Sequence, residues 1–232
     1  MKRIIALAFT ASVFSSCTKE MQTPVQISSL ESAKAKIQKP DIENAVSATA
    51  VTGYTLYTIK KGGNYSDKSV LKSVKTSEMK FYASFDNSAV YTNVLAANQY
   101  DINKLWGFSE GFNNQYNSCR IGWSWNDGIY GGVYNIGTKS LRLSAYSYAK
   151  GVRYSKEICT VPLNTDIYCS IKLVGALYSC TITFTEGGIS KKFNTTITRG
   201  LSTTSASGYQ QYPYFGGDEV APQDIFIKIK PM

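Results

Sequence analysis

Histidine is absent from the 232 residues. Its absence excludes Ser-His-Asp and Cys-His nucleophilic machinery, and every mechanism in which an imidazole carries a proton near neutral pH. It also removes a principal zinc ligand. The five cysteines show no paired C-x2-C spacing, so a tetrahedral zinc site has no ligand set. Charged residues make up only 18% of the chain and the lysines and arginines are dispersed, so no dense basic patch marks a nucleic-acid-binding tail. Long apolar runs are missing too. Ile4–Phe14 is an apolar run, and it is too short to cross a bilayer by itself.

What stands around that run is informative. Lys2 and Arg3 precede it, and Ser15 and Ser16 lead from it into Cys17, the layout of a secretory signal. Phe14-Ser15-Ser16-Cys17 resembles the lipobox of bacterial lipoproteins. The resemblance implies cleavage before Cys17, acylation of Cys17, and a lipid anchor in the bacterial cell envelope, at the outer membrane. Several acyl chains would hold the protein firmly, because each buried CH₂ contributes about 0.8 kcal/mol. Thr18-Lys19-Glu20 supplies one acidic residue, which leaves periplasmic and surface-facing orientations both open. Loss of residues 1–16 removes two basic residues and leaves 23 against 16 acidic, a net +7. In an exported protein that charge suits anionic headgroups or acidic glycans and makes nucleic acid a poor partner.

Residues 17–52 read as a polar tether. Within it, Ser28–Lys39 holds a Ser28/Glu31 capping box and a thin apolar stripe ended by Pro40, the pattern of a short helix. From Gly53 the period changes to two. Strands are expected at Tyr54–Lys61, Met79–Asp86, Lys104–Glu110, Ser118–Asn126, Ile129–Asn135, Ser140–Tyr148, Arg153–Cys159, Asp166–Val174, Leu177–Thr185, Ser190–Thr198 and Asp224–Lys230, with Asn/Asp/Gly turns between them. Cys119, Ile121, Trp123 and Trp125 share one face of their strand, and Ile225, Ile227 and Ile229 share a face of theirs. Apolar faces on successive strands need a cover, and no helical pattern is long enough to provide it. Residues 53–232 are therefore expected to be one all-β domain, a two-sheet antiparallel sandwich.

The run from Ser140 to Phe184 resembles the later strands of concanavalin-like and laminin-G-like jelly-roll sandwiches. That resemblance implies a last strand returning beside the first, with Ile225–Ile229 near Leu56–Ile59. The chain as a whole is similar to small envelope lipoproteins of the Bacteroidetes type.

Once Cys17 is assigned to lipid, Cys119, Cys159, Cys169 and Cys180 form an even set in a compartment where disulfides persist. A hairpin turning about Val174-Gly175 would set Cys169 opposite Cys180, within bridging reach in a non-hydrogen-bonded pair. The alternative is four reduced cysteines serving as small core residues.

No catalytic motif is diagnostic, which leans against an enzyme. The E-x-D-x-E carboxylate strand of concanavalin-like glucanases does not occur. A tyrosine-based polysaccharide lyase is chemically open: tyrosines number 17, and Arg120, Arg142 and Arg153 are candidates to neutralise a uronate. The loop between Gly107 and Trp125 brings Glu110, Asn113, Asn114, Gln115 and Tyr116 together as sugar-binding candidates, and Tyr212 lies in a second aromatic loop, Tyr209–Phe215. Trp123 and Trp125, in line with Ile121, read as core. The segment Tyr214–Asp224 contains a "GGDE" run, read as a glycine turn before the last strand. Its Asp218, Glu219 and Asp224 are weak candidates for calcium, with no other cofactor implied. Three readings stay open: a lipid-anchored, non-enzymatic binding domain for glycan; a structural or protein-interaction lipoprotein of the envelope; and a carbohydrate-active enzyme of the lyase type.

Overall fold

The computed structural model describes residues 51–126 and 139–232. The expected leader, Cys17, the helix expected at Ser28–Lys39 and the strand expected at Ile129–Asn135 lie outside these residues. Twelve strands follow in chain order: β1 (Thr55–Ile59), β2 (Ser73–Thr76), β3 (Glu78–Phe85), β4 (Asn103–Ser109), β5 (Asn117–Asn126), β6 (Ser140–Ala149), β7 (Val152–Val161), β8 (Ile167–Val174), β9 (Leu177–Glu186), β10 (Ile189–Thr198), β11 (Ala206–Gln211) and β12 (Ile225–Pro231). They form two six-stranded antiparallel sheets, β1-β12-β3-β8-β9-β10 and β2-β11-β4-β5-β6-β7. The sandwich expected from the alternation is the fold observed.

Alternation explains the packing. On β12, Ile225, Ile227 and Ile229 are fully buried while Lys228 is exposed. On β5, Cys119, Ile121 and Trp123 point between the sheets, and Trp123 meets Phe85 from the other sheet at a centroid distance of 5.2 Å. The last strand returns beside the first, Leu56 opposite Lys228 and Ile59 opposite Ile225. Two hairpins close through two-residue turns with positive φ at both positions, Lys150-Gly151 and Gly187-Gly188. These are the backbone angles that match the twist of the flanking strands.

Two strands escape the periodicity. β2 is four residues long and mostly polar, and β11 carries Gly208 among polar neighbours. Each becomes a strand because β4 offers an edge: Gln210 and Gln211 pair with Phe108 and Gly107, and β2 then pairs with β11. The β8–β9 hairpin also departs from expectation. Val174 faces Leu177, so Cys169 stands opposite Ile182 and Cys180 opposite Ile171, and all four described cysteines are free thiols.

Glu110 sits at the end of β4 and not on an exposed loop. Its side chain is buried; the carboxylate accepts from Arg199 Nε at 2.6 Å and Nη2 at 2.7 Å, and accepts the Tyr178 hydroxyl. Arg199 also donates to the carbonyls of Gly175 and Thr203, so one guanidinium joins β4, the β8–β9 turn and the chain after β10. Such a pair stabilises only while both partners are present. Replacing Glu110 with Gln leaves the buried Arg199 charge uncompensated, and should lower unfolding free energy by about 3–5 kcal/mol, read as a fall in the denaturant midpoint at neutral pH.

Candidate functional site

The outward face of the second sheet carries the chemistry. Because β5 alternates, Ser118, Arg120, Gly122 and Ser124 point away from the sandwich core, yet every residue of β5 is buried. Register then assembles a transverse row. Arg120 lies between Gly107 on β4 and Tyr146 on β6, and Gln211 on β11 continues the row beyond Gly107. One step along, Ser118 faces Tyr148, which in turn faces Arg153. One step the other way, Lys104 faces Gly122. Glycine is required at 107, where a Cβ would collide with the Cys119 carbonyl and the Arg120 Cα.

Lys104, Arg120, Tyr146, Tyr148, Arg153 and Gln211 line a cleft of about 480 Å³, together with Tyr65, Asn114, Gln115, Tyr212, Tyr214 and Asp218. The loop after β11 forms one wall. Lys104 and Tyr214 exchange both backbone hydrogen bonds, at 2.8 and 2.9 Å, and the Gly216 amide donates to Asn103 Oδ1 at 2.9 Å. Tyr65, which is 74% exposed, stands edge-on to Tyr214 at 4.9 Å and extends the aromatic wall into solvent. Asn114 Nδ2 donates to Gln211 Oε1 at 3.1 Å and fixes the amides at the opposite end.

Arg120 is only 7% exposed, and its Nε finds no hydrogen-bond partner among the described residues. It makes no ion pair there either. Burial lowers the pKa of its guanidinium, while Tyr146 and Tyr148 oppose the shift. The Tyr146 and Tyr148 hydroxyls stand 3.5 Å apart, and burial plus this contact push Tyr146 up to about 12. Lys104 Nζ lies 4.9 Å from the Tyr146 ring centre and 5.6 Å from that of Tyr214. Burial first, and the Arg120 charge second, pull Lys104 down to about 8. The cleft therefore combines a buried cation with no carboxylate partner among the described residues, an amine that loses its proton in mildly basic solution, and a phenol that keeps its own. A larger cleft of about 830 Å³ opens elsewhere, lined by Phe184, Phe193 and Val161, but Lys191 and Glu186 on its rim pair with each other.

Of the candidates read from sequence, Asn114, Gln115 and Tyr212 line the cleft, as do Arg120 and Arg153. Asn113 uses its side chain locally, accepting from the Gln115 amide at 2.9 Å, and Tyr116 is 53% exposed beside the β6–β7 turn. Arg142 stacks over Tyr100 and faces Glu157 at 3.5 Å. The calcium candidates do not converge. Glu219 accepts from the amides of Val94 and Leu95, Asp224 binds Lys60 and the Lys61 amide, and Asp218 sits on the cleft rim. Among the described residues no group of three His, Cys, Asp or Glu side chains is placed to hold a metal ion. Sequence reasoning missed Lys104, Tyr146, Tyr148 and Tyr65, and reached Tyr214 only as part of the aromatic loop Tyr209–Phe215. A signal for Tyr146 and Tyr148 existed: on β6 they alternate with Leu141, Leu143 and Ala145 and so fall on the face opposite the apolar one.

Acylation of lysines across a pH series, mapped by mass spectrometry, should give Lys104 a reactivity midpoint near pH 8. Arg120→Ala should move that midpoint upward, because removing a neighbouring positive charge favours the ammonium form.

No protein-family model matches the sequence, and no curated protein matches it. Among solved structures, the chain is similar to an alginate lyase from Chlorella virus, at 8% identity over 79% of this chain and 87% of that one, with a TM-score of 0.42. It is similar to an alginate lyase from Klebsiella pneumoniae, at 10% identity over 67% of this chain and 59% of that one, with a TM-score of 0.45. It is also similar to Scytalido-glutamic peptidase, at 11% identity over 76% and 63% of the two chains, with a TM-score of 0.33.

Proposed function

We propose that this protein binds a uronate-bearing polysaccharide in the Arg120 cleft and cleaves it by β-elimination. The observation that carries the reading is the buried guanidinium of Arg120, without a carboxylate partner among the described residues and set beside Tyr146 and Lys104. A desolvated cation without an anion favours an anionic ligand strongly, and a planar guanidinium matches a carboxylate in two-point contact. Exposed Tyr65 and the Asn114–Gln211 amides suit sugar rings and hydroxyls alongside.

The chemistry follows from those groups. Neutralising the C5 carboxylate of a 4-linked uronate acidifies the C5 proton. Lys104, as the free amine, accepts that proton. The electron pair forms the C4–C5 double bond as the C4–O bond breaks, and Tyr146 donates its proton to the departing oxygen. Arg153, on the exposed side, extends the positive field toward the next carboxylate. Water is not consumed, and the missing histidine is not needed. The rate should rise with pH through about 8, because a base whose pKa is depressed to that value becomes competent above it. The leader adds a place to this function: we read Cys17 as an acylated anchor that holds the domain at the bacterial envelope, within reach of extracellular or periplasmic glycan.

The test is incubation with a panel of 4-linked polyuronates, following the ultraviolet absorbance of the new double bond. Arg120→Ala should reduce kcat/KM by about 10²–10³-fold. Tyr146→Phe should lower kcat by about 10²–10⁴-fold with polymer binding retained. Binding that never yields a double bond would restrict the cleft to recognition, and no affinity for any polyuronate would sink the proposal.

A further inference from the structure

The four cysteines of the sandwich take no part in the cleft. All point between the sheets, and Cys119, Cys169 and Cys180 are fully buried. Cys119 belongs to β5 in one sheet and Cys180 to β9 in the other. Their sulfurs stand 3.9 Å apart across the interior, although 61 residues separate them in sequence. The strands carrying them are held in place on each side: Cys119 lies between Phe108 and Ser147, and Cys180 between Ile171 and Thr195. Bonding needs the sulfurs to close to about 2.05 Å, an approach shared between two side chains that already face each other.

We propose that Cys119 and Cys180 form an inter-sheet disulfide when the chain folds in the presence of a disulfide donor, either a small disulfide of the oxidised-glutathione class or a dithiol–disulfide oxidoreductase. One cysteine thiolate attacks the donor disulfide, releasing one donor thiol and leaving a mixed disulfide on the protein. The second thiolate then attacks the protein-side sulfur and releases the second donor thiol. The two thiols lose two protons and two electrons, and the donor disulfide is reduced. Timing follows from burial. A thiolate is the attacking species, and burial raises the Cys119 thiol well above its ordinary range once the sheets have closed. Both sulfurs are also fully buried and out of a donor's reach in the closed sandwich, so the bond forms while the sheets come together and is then sealed inside. The proposal leaves Cys159 and Cys169 reduced and is independent of what the cleft binds.

The experiment uses the full chain purified under reducing conditions. One portion is exposed to oxidised glutathione while native, and another is unfolded and refolded in a glutathione redox buffer. Both are then alkylated, digested and mapped, with Cys17 scored separately. The expected result is a Cys119–Cys180 cross-linked peptide, and the loss of two hydrogens from the intact mass, in the refolded portion only. The cross-linked form should unfold at higher denaturant than the reduced form, with reductant reversing the gain. The double variant Cys159→Ser/Cys169→Ser should form the same link, and where it fails to fold the wild-type peptide map decides alone. Full alkylation of Cys119 and Cys180 after oxidative refolding, a link through Cys159 or Cys169, or equally rapid linking in the native protein would each overturn the proposal.

Discussion

Arg120 is a cation held out of water with no anion beside it among the described residues, and the second sheet is arranged around that fact. Desolvating a guanidinium costs several kcal/mol unless a partner restores the lost interactions. The neighbouring rows keep the site open and do not neutralise it. Gly107 leaves no side chain beside Arg120 on the β4 flank, while on the other Tyr146, with Tyr148, supplies hydroxyls and ring faces without charge. Burial first, and the Arg120 charge second, hold Lys104 below its ordinary range.

Arg199 provides the internal comparison. It is as deeply buried as Arg120, yet it has a bidentate carboxylate in Glu110 and two backbone carbonyls. Its hydrogen bond to Glu110 raises its pKa, whereas burial lowers that of Arg120. One arginine fastens three segments of the sandwich; the other is left unmatched toward a cleft. The two arginines differ in how fully their hydrogen-bonding capacity is met.

Much of the sandwich was legible beforehand because a half-buried strand writes its burial into alternate residues. Ile225, Ile227 and Ile229 declared a core face, and the hairpin at Lys150-Gly151 declared itself through a glycine turn. β2 and β11 did not, since their strand character comes from the free edge of β4 and not from their own polar residues. Glu110 was misread for a related reason. A carboxylate beside a glycine-rich loop looks exposed until the fold brings Arg199 and Tyr178 over it. The cysteine register slipped by two positions because the turn falls at Gly175-Ala176, one residue later than the hairpin was drawn.

By itself the sequence determined the all-β class, the inward faces of the strands and the exclusion of histidine chemistry, since each depends on local alternation or on composition alone. Which polar residues meet was decided only by tertiary structure. Lys104, Arg120, Tyr146 and Tyr214 come from four separate segments, and inter-strand register together with the wall formed after β11 brings them to one cleft. Register is a long-range property, so no window of sequence contains it.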